Sequence, residues 1–208
     1  MEDLKKKTIA QPLMLIFAFV LLPFGSFLYL RYGLDYYIDR LDELGDLGQA
    51  PDFTLMNQEG DTISLEDLKG KMSVVGYFSA DCGVPCDSFS QAFHRIQAAF
   101  PDNYRINLLT YFSDSSNAAL VDNREMGSKW HWLKGEEAAL KTMFENDYKM
   151  NLLDGYSNQF ALVDSSHTIR RLYDAMDINE VNRLVVHLAM AAPRPPKQDV
   201  KFKRQKEK

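Results

Sequence analysis

The stretch that decides the fold runs Ser73-Val-Val-Gly-Tyr-Phe-Ser79-Ala-Asp-Cys82-Gly-Val-Pro-Cys86. Its first half is an uncharged, mainly apolar run, which is typical of a central strand in a buried sheet. Proline fits an early helical position, so Pro85 indicates a helix that begins close to the second cysteine. The two cysteines of the chain are therefore expected where a central strand ends and a helix begins.

This position gives Cys82 and Cys86 a specific chemistry. The unpaired N–H groups and the dipole of a helix N-terminus stabilise a thiolate, although Asp81 and Asp87 oppose it by adding negative charge. Two cysteines four residues apart lie one helical turn from each other, so they can close a reversible disulfide or bind one soft metal such as Cu(I). A purely structural disulfide is the alternative, whereas a zinc site lacks two further ligands at suitable spacing.

Strands and helices alternate on both sides of this stretch. Before it, the sequence predicts a hairpin from Asp52 to Leu65 that turns at Gly60, and a short helical turn at Glu66–Leu68. After it come a helix that ends at Pro101, a strand at Tyr104–Phe112, a polar helix near Asn117–Met126 and a connection through Trp130-His-Trp132 and Gly135. The last predicted elements are a helix at Glu136–Tyr148, strands at Gln159–Val163 and Thr168–Tyr173, and a closing helix at Ile178–Ala191. This order describes an α/β sandwich that resembles the thioredoxin fold, with a central mixed sheet flanked by helices.

The N-terminal part predicts a membrane anchor. Thr8 to Leu30 is a run of 23 uncharged residues, and as a helix it would span about 34 Å, enough for the hydrocarbon core of a bilayer. A cleaved signal peptide would be shorter in its apolar part and would end in small residues, which are missing here. Three lysines precede the run, so the positive-inside rule predicts a cytoplasmic N-terminus and an extracytoplasmic domain, by default periplasmic at a bacterial inner membrane.

Charge and helical spacing divide the chain into five segments. Residues 1–7 are expected in the cytoplasm, 8–30 in the membrane, 31–47 in an amphipathic stalk, 48–193 in the thioredoxin-like domain, and 194–208 in a basic, disordered tail. The net charge of the whole chain is −5, but residues from Pro195 onward carry six bases and two acids. The domain is therefore acidic, which argues against a nucleic-acid partner.

Four motifs resemble the SCO/SenC family over roughly Gln49 to Ala191. They are Ala50-Pro-Asp-Phe-Thr-Leu, Leu65 to Lys71 with Gly70-Lys71, Tyr77-Phe-Ser-Ala-Asp-Cys82 with Cys86, and Trp132-Leu-Lys-Gly135. Thioredoxins place two residues between their cysteines rather than three, and peroxiredoxins lack this two-cysteine turn. The resemblance implies a thioredoxin fold, copper as a ligand of Cys82 and Cys86, and a cytochrome c oxidase subunit or another redox or copper protein as partner.

Two positions depart from the pattern that the resemblance implies. Family members carry proline directly after the second cysteine, where this chain has Asp87. The third copper ligand of the family is a histidine, and counting back eight residues from Asp164 puts Tyr156 at its position. A phenol is a poor ligand for Cu(I), so the site of two sulfurs and one imidazole is expected to be incomplete.

The chain has four histidines that could replace the missing imidazole ligand. His94 lies eight residues beyond Cys86 on one helix, about 12 Å along its axis, which is too far to share a metal. His167 is also too far, because it lies at the far end of a strand from position 156. His187 is expected to be half-buried and structural. His131, between two tryptophans, is the one histidine that distance does not exclude.

Three functions remain open on the sequence alone. The first is copper delivery or copper-site assembly through Cys82 and Cys86, and the second is a membrane-tethered thiol–disulfide reductase in which Cys82 attacks and Cys86 resolves. The third is a non-enzymatic assembly factor that holds an oxidase subunit by its surface. Replacement of both cysteines distinguishes the third function from the first two, because only the third would survive it.

Overall fold

The structure is a computed structural model that describes residues 2–78, 84–101, 105–113, 130–153 and 156–192, with side chains from residue 16 onward except at 78 and 84–87. The predicted polar helix near Asn117–Met126 and the basic tail at 194–208 lie outside the described residues. The chain divides into two compact units, residues 1–43 and 44–208. The first unit is the helix α1, Glu2–Asp42. By length and composition, its part from Ile16 to Asp42 is apolar enough to cross a membrane.

The second unit contains one mixed sheet, which has seven strands among the described residues. The strands are β1 (Thr54–Met56), β2 (Thr62–Ser64), β3 (Met72–Phe78), β4 (Ile106–Ser113), β5 (Trp130–Gly135), β6 (Gln159–Val163) and β7 (Ile169–Asp174). Their order across the sheet is β2-β1-β5-β4-β3-β6-β7. Strands β3, β4 and β5 run parallel, whereas β6 runs antiparallel to β3. The thioredoxin-like α/β fold predicted from the sequence is confirmed.

Helices cover both faces of this sheet. They are α2 (Val84–Ala99), α3 (Glu137–Asn146) and α4 (Ile178–Ala191), and a 3-10 turn lies at Glu66–Leu68. Helices α2 and α4 pack on one face through Phe89, Phe93 and Leu184, and α3 packs on the other through Leu140 and Phe144. Because successive side chains of a strand point to opposite faces, the buried central strands supply both cores.

The hairpin around Gly60 and the closing helix agree with the sequence analysis, but Trp130–Gly135 does not. This segment is not a connection: it forms β5, which pairs in parallel with β4 from Leu108 to Ser113. The side-chain amide of Gln58 extends the edge of β5, since it donates to the Trp130 carbonyl at 3.0 Å and accepts from the Trp132 N–H at 2.8 Å. Long-range pairing of this kind overrides the weak local signal of a short strand.

Residues 47–50, the edge segment, lie beside the β6–β7 turn and the first residue of β7. The Leu47 N–H donates to the Ile169 carbonyl and the Ile169 N–H donates to the Gly48 carbonyl, both at 2.8 Å. The Ala50 N–H donates to the His167 carbonyl at 2.7 Å. The edge segment therefore satisfies backbone groups that an edge strand would otherwise expose.

The turn from β6 to β7 is built around the carboxylate of Asp164. Its Oδ1 accepts hydrogen bonds from the Ser166 N–H at 2.8 Å and the Thr168 N–H at 3.0 Å, and its Oδ2 accepts from Arg170 Nε at 2.7 Å. Partial burial raises the pKa of Asp164, but the hydrogen bonds from Ser166, Thr168 and Arg170 together hold the pKa below its ordinary value. His167 completes the turn in the left-handed region, at φ 64°.

We expect Asp164→Asn to lower the free energy of unfolding at pH 7 by about 1 kcal/mol, because a partly buried carboxylate that accepts charged hydrogen bonds is lost. A depressed folded-state pKa stabilises the fold above the unfolded pKa of about 3.9 and loses that effect as pH falls through the lower folded value. The difference between the two proteins should therefore shrink below about pH 4. Urea unfolding at pH 7 and pH 3 measures it, and a difference that grows on acidification would contradict the assignment.

Candidate functional site

The cysteine site predicted from the sequence belongs to the junction between β3 and α2. Strand β3 ends at Phe78 and α2 begins at Val84. Cys82 lies outside the described residues, and Cys86 is described only by its backbone, as the third residue of α2. Pro85 is the second residue of the helix, as its position in the sequence predicts. Cys86 therefore lies in the first turn of a sixteen-residue helix, at the end where the helix dipole is positive.

A glycine allows α2 to lie close against β3. A Cβ atom added at Gly76 would overlap the ring of Phe89 and would lie 3.2 Å from Cε2 of Phe93. The Phe89 ring contacts Phe160 edge-on, with 4.4 Å between ring centroids, and Phe93 stacks on Trp130 at 5.1 Å. These fully buried rings fix the helix that carries Cys86 over the centre of the sheet. Glycine inside an otherwise apolar strand is the sequence signal for such a close approach.

Tyr156 lies beside the end of β3. The Ser157 N–H donates to the Tyr77 carbonyl at 3.3 Å, and Tyr156 pairs with Leu153 through two backbone hydrogen bonds of 2.7 and 3.0 Å. The Tyr156 side chain is half-buried and packs against the core on the α2 side of the sheet. A phenol therefore lies next to the strand that leads into the cysteine segment.

His94 and His131 lie away from the junction between β3 and α2. The His94 ring contacts Trp130 edge-on at 5.0 Å, and it lies in the second half of α2. Trp130 and Trp132 belong to the core under α2, whereas Leu133 belongs to the core under α3. Strand alternation therefore places His131 on the α3 face, opposite α2.

The other two histidines are structural. His167 lies in the β6–β7 turn, and β6 is antiparallel to β3 with Val163 opposite Ser73, so this turn is at the sheet end where β3 begins. His187 is fully buried, and its Nδ1 lies 2.6 Å from the Tyr173 hydroxyl. The structural role predicted for His187 is confirmed, although the ring is completely rather than half buried. No cluster of three or more histidine, cysteine or acidic side chains occurs within the described part of the chain.

Tyr77, the residue that precedes Phe78, is kept neutral by its surroundings. Burial, and then the charge of Glu137, raises the pKa of the Tyr77 phenol. Its ring stacks on Phe144 of α3 with 4.9 Å between centroids. The C-terminal end of β3 is thus held by apolar contacts on the α3 face and by the Ser157 hydrogen bond at its edge.

Comparison with known proteins identifies the class of fold. The model of the AhpC/TSA family matches residues 47–186. BsSco, a member of the Sco family of cytochrome c oxidase assembly proteins with an identified disulfide switch, is 15% identical, with a TM-score of 0.58 over 72% of this chain and 96% of that chain. Copper-bound ScoI of Arabidopsis thaliana is 14% identical, with a TM-score of 0.52 over 68% of this chain and 99% of that one.

A candidate thiol:disulfide interchange protein DsbE from Chlorobium tepidum is 16% identical, with a TM-score of 0.55 over 72% of this chain and 99% of that chain. At these identities the likeness is one of fold, and at that level the predicted resemblance to SCO proteins is confirmed. No curated protein sequence matches the chain.

Proposed function

Because the chain belongs to the AhpC/TSA family, we propose that it is a Sco-like membrane protein that serves cytochrome c oxidase assembly by thiol–disulfide exchange at Cys82 and Cys86. The similarity to BsSco and to the Chlorobium interchange protein supports both parts of this proposal. Thiolates and not disulfides bind copper, so a copper site built from cysteines has to be reduced before it is loaded. A reductase would thereby assist copper-site assembly in an oxidase subunit.

The position of Tyr156 is the observation that favours exchange over a three-ligand copper site. Its phenol lies beside the end of β3, where the SCO resemblance implies an imidazole. The four histidines of the chain lie against Trp130, on the α3 face, in the β6–β7 turn and against Tyr173. Two cysteines four residues apart in the sequence, the second in the first turn of a helix and neither with an expected imidazole partner, suit reversible disulfide chemistry.

The exchange proceeds in two balanced steps. The Cys82 thiolate attacks one sulfur of a partner disulfide, a bond forms between these sulfurs, and the second partner sulfur leaves as a thiolate. The Cys86 thiolate then attacks Cys82 Sγ and releases the first partner sulfur, so that the chain ends as the Cys82–Cys86 disulfide. Two electrons pass to the partner, and an external dithiol has to reduce the chain again.

The helical register supports these roles. Position 86 lies three residues before Phe89 and seven before Phe93, so it shares the helix face of two buried rings. Cys82 precedes the helix in the sequence, and we propose that it is the cysteine that an approaching disulfide meets first. We therefore assign attack to Cys82 and resolution to Cys86.

Helix α1 is the proposed anchor. Many of its apolar side chains are exposed, among them Phe19 and Leu22 at 78% and 73%. A soluble helix with such a surface would need a partner, whereas a bilayer covers it without one. The three lysines at 5–7 favour a cytoplasmic N-terminus and a domain on the opposite side of the membrane.

The test uses the reduced full chain in detergent micelles and one equivalent of 5,5′-dithiobis(2-nitrobenzoate). Exchange through two cysteines releases two nitrothiobenzoates per reagent and leaves no adduct, whereas isolated thiols release one and keep the other. A Cys82→Ser/Cys86→Ser double variant is the control. If that double variant also restores oxidase activity in cells that lack the protein, the chain acts as a non-enzymatic assembly factor and the exchange proposal falls.

Copper binding is the second candidate, favoured by two cysteines four residues apart in the sequence and by the similarity to the copper-bound ScoI. We expect Tyr156→His to raise the affinity for Cu(I) at least about tenfold, or 1.4 kcal/mol, by adding a nitrogen ligand beside the cysteines. Anaerobic titration against a chromophoric chelator measures it, with the double serine variant as control. Equal affinity of Tyr156→His and wild type would mean that position 156 does not reach the metal.

A further inference from the structure

A cavity of about 220 Å³ opens between α2 and the turn from β7 to α4. Its α2 wall includes Gln91 and Arg95, and its opposite wall includes Met176 and Ile178. One wall is thus polar and cationic, and the other is apolar. A closed apolar cavity of about 150 Å³ accepts a benzene ring, so there is room here for one aliphatic or aromatic side chain.

The cavity lies at the same end of the sheet as Cys86. The Ser157 N–H donates to the Tyr77 carbonyl at the end of β3, and the Ala175 N–H donates to the Asn158 carbonyl at 2.7 Å. These bonds connect the end of β3 to the end of β7 across the start of β6. Ser88, which also lines the cavity, follows Cys86 by two residues.

Two exposed apolar side chains, Met176 and Ile178, line this cavity. Among the described residues from 44 to 192, four large hydrophobic side chains are exposed. Leu153, Met176 and Ile178 lie on the β6–β7 side of this sheet end, whereas Met56 lies on β1. Strand β1 is five strands from β7, about 24 Å at 4.8 Å per strand. Single exposed hydrophobic residues are ordinary, but two in the wall of one cavity, with a third at the same end of the sheet, indicate a contact surface.

The charge at the cavity favours an acidic ligand. Arg95 is exposed, and it forms no ion pair with the side chains that the structure describes. Small thiols such as glutathione carry charges on both ends and have no apolar group that would fill the opposite wall. A polypeptide can supply a carboxylate and an apolar side chain on successive residues.

We propose that this cavity is the docking pocket for the polypeptide that carries the disulfide substrate. An apolar side chain about three residues from the substrate cysteine packs between Met176 and Ile178, and a neighbouring carboxylate pairs with Arg95. Since three extended residues span about 10 Å, such a segment reaches from the first turn of α2 into the cavity. The proposal rests on the proposed exchange function and adds the chemistry of its substrate.

The test compares disulfide probes with the full chain in detergent micelles. One peptide carries Leu-Asp three residues after its cysteine and the other carries Ser-Lys, and both are mixed disulfides with nitrothiobenzoate. We expect the Leu-Asp peptide to react about tenfold faster, and Ile178→Gln or Arg95→Gln to remove that preference. Met56→Gln makes the same apolar-to-polar change far from the cavity and should keep it. Hydroxyethyl disulfide, which has neither group, should react equally with all variants.

Reversing the charge at position 95 gives a second, independent readout. Arg95→Glu should slow the Leu-Asp peptide and speed a matched Leu-Lys peptide, a coupling that a purely structural role of Arg95 would not produce. A photoreactive phenylalanine analogue at position 178 should form an adduct with the Leu-Asp peptide. An adduct with a second copy of the chain or with lipid would overturn the proposal.

These experiments distinguish a wrong docking pocket from a wrong exchange function. If hydroxyethyl disulfide reacts but the peptides are not distinguished, the docking pocket is wrong and the exchange function stands. If no disulfide reacts with the reduced chain, the exchange function is wrong, and the docking proposal falls with it.

Discussion

Replacing Gly76 with alanine is expected to lower the free energy of unfolding by about 3 kcal/mol, at the upper end of the usual cost of overpacking. The added methyl would occupy the place of the Phe89 ring, which is fully buried between β3 and Phe160. Neither the strand nor the ring can move without disturbing the centre of the sheet. For a domain of this size the melting temperature should fall by roughly 6–12 °C.

Two further variants separate this steric effect from a general intolerance of alanine. A Cβ at Gly135 would lie 3.1–3.3 Å from the flexible side chain of Leu140, so Gly135→Ala should cost less than about 1 kcal/mol. In Gly76→Ala/Phe89→Leu a smaller side chain faces the new methyl, and part of the lost stability should return. Thermal unfolding followed by circular dichroism provides the values. Equal losses in the two alanine variants would refute the close approach of α2.

Cys86→Ser is expected to stop turnover and to trap the chain as a mixed disulfide with its substrate. Well-oriented intramolecular reactions reach effective molarities of about 10⁵ M or more, so a millimolar external thiol cannot replace the resolving cysteine. Turnover should fall by at least about 10³-fold, while the first attack remains. Mass spectrometry of the full chain after reaction with a cysteine peptide disulfide should show one peptide bound per Cys86→Ser chain.

The matched variant, Cys82→Ser, should neither turn over nor hold the peptide, because position 86 lies on the helix face of Phe89 and Phe93. A stable peptide adduct on Cys82→Ser but not on Cys86→Ser would reverse the two roles. If neither variant retains the peptide, the cysteines do not perform disulfide exchange.

Much of the fold can be predicted from the sequence because its signals are local. The apolar run at Ser73–Ser79, the turn at Gly60 and the helical stripe of Ile178–Ala191 each lie within one element. Strand β5 has no such signal, because its six residues become a strand through pairing with β4 and through the amide of Gln58. Only the assembled sheet brings these partners together.

Part of the candidate site can likewise be predicted from the sequence, and part of it depends on the assembled fold. The sequence predicts Cys82 and Cys86 at a junction of strand and helix, and counting along the chain identifies position 156. Glycine at position 76 indicates a close approach to the strand, but residue order does not reveal that the rings of Phe89 and Phe93 are what approaches. The cavity beside α2 likewise combines Arg95 with Met176, which are 81 positions apart in the chain.

The edge segment at 47–50 restricts how another protein can be recognised. Many partners bind by adding a strand to an open sheet edge, where backbone hydrogen bonds contribute affinity without reading side chains. At the start of β7 that position is already filled by the chain itself, which pairs with Ile169, and on the opposite side of the sheet β2 offers only three residues. Strand addition at the Ile169 end of β7 is therefore blocked, and we expect side chains at the other end of the sheet to supply the selectivity.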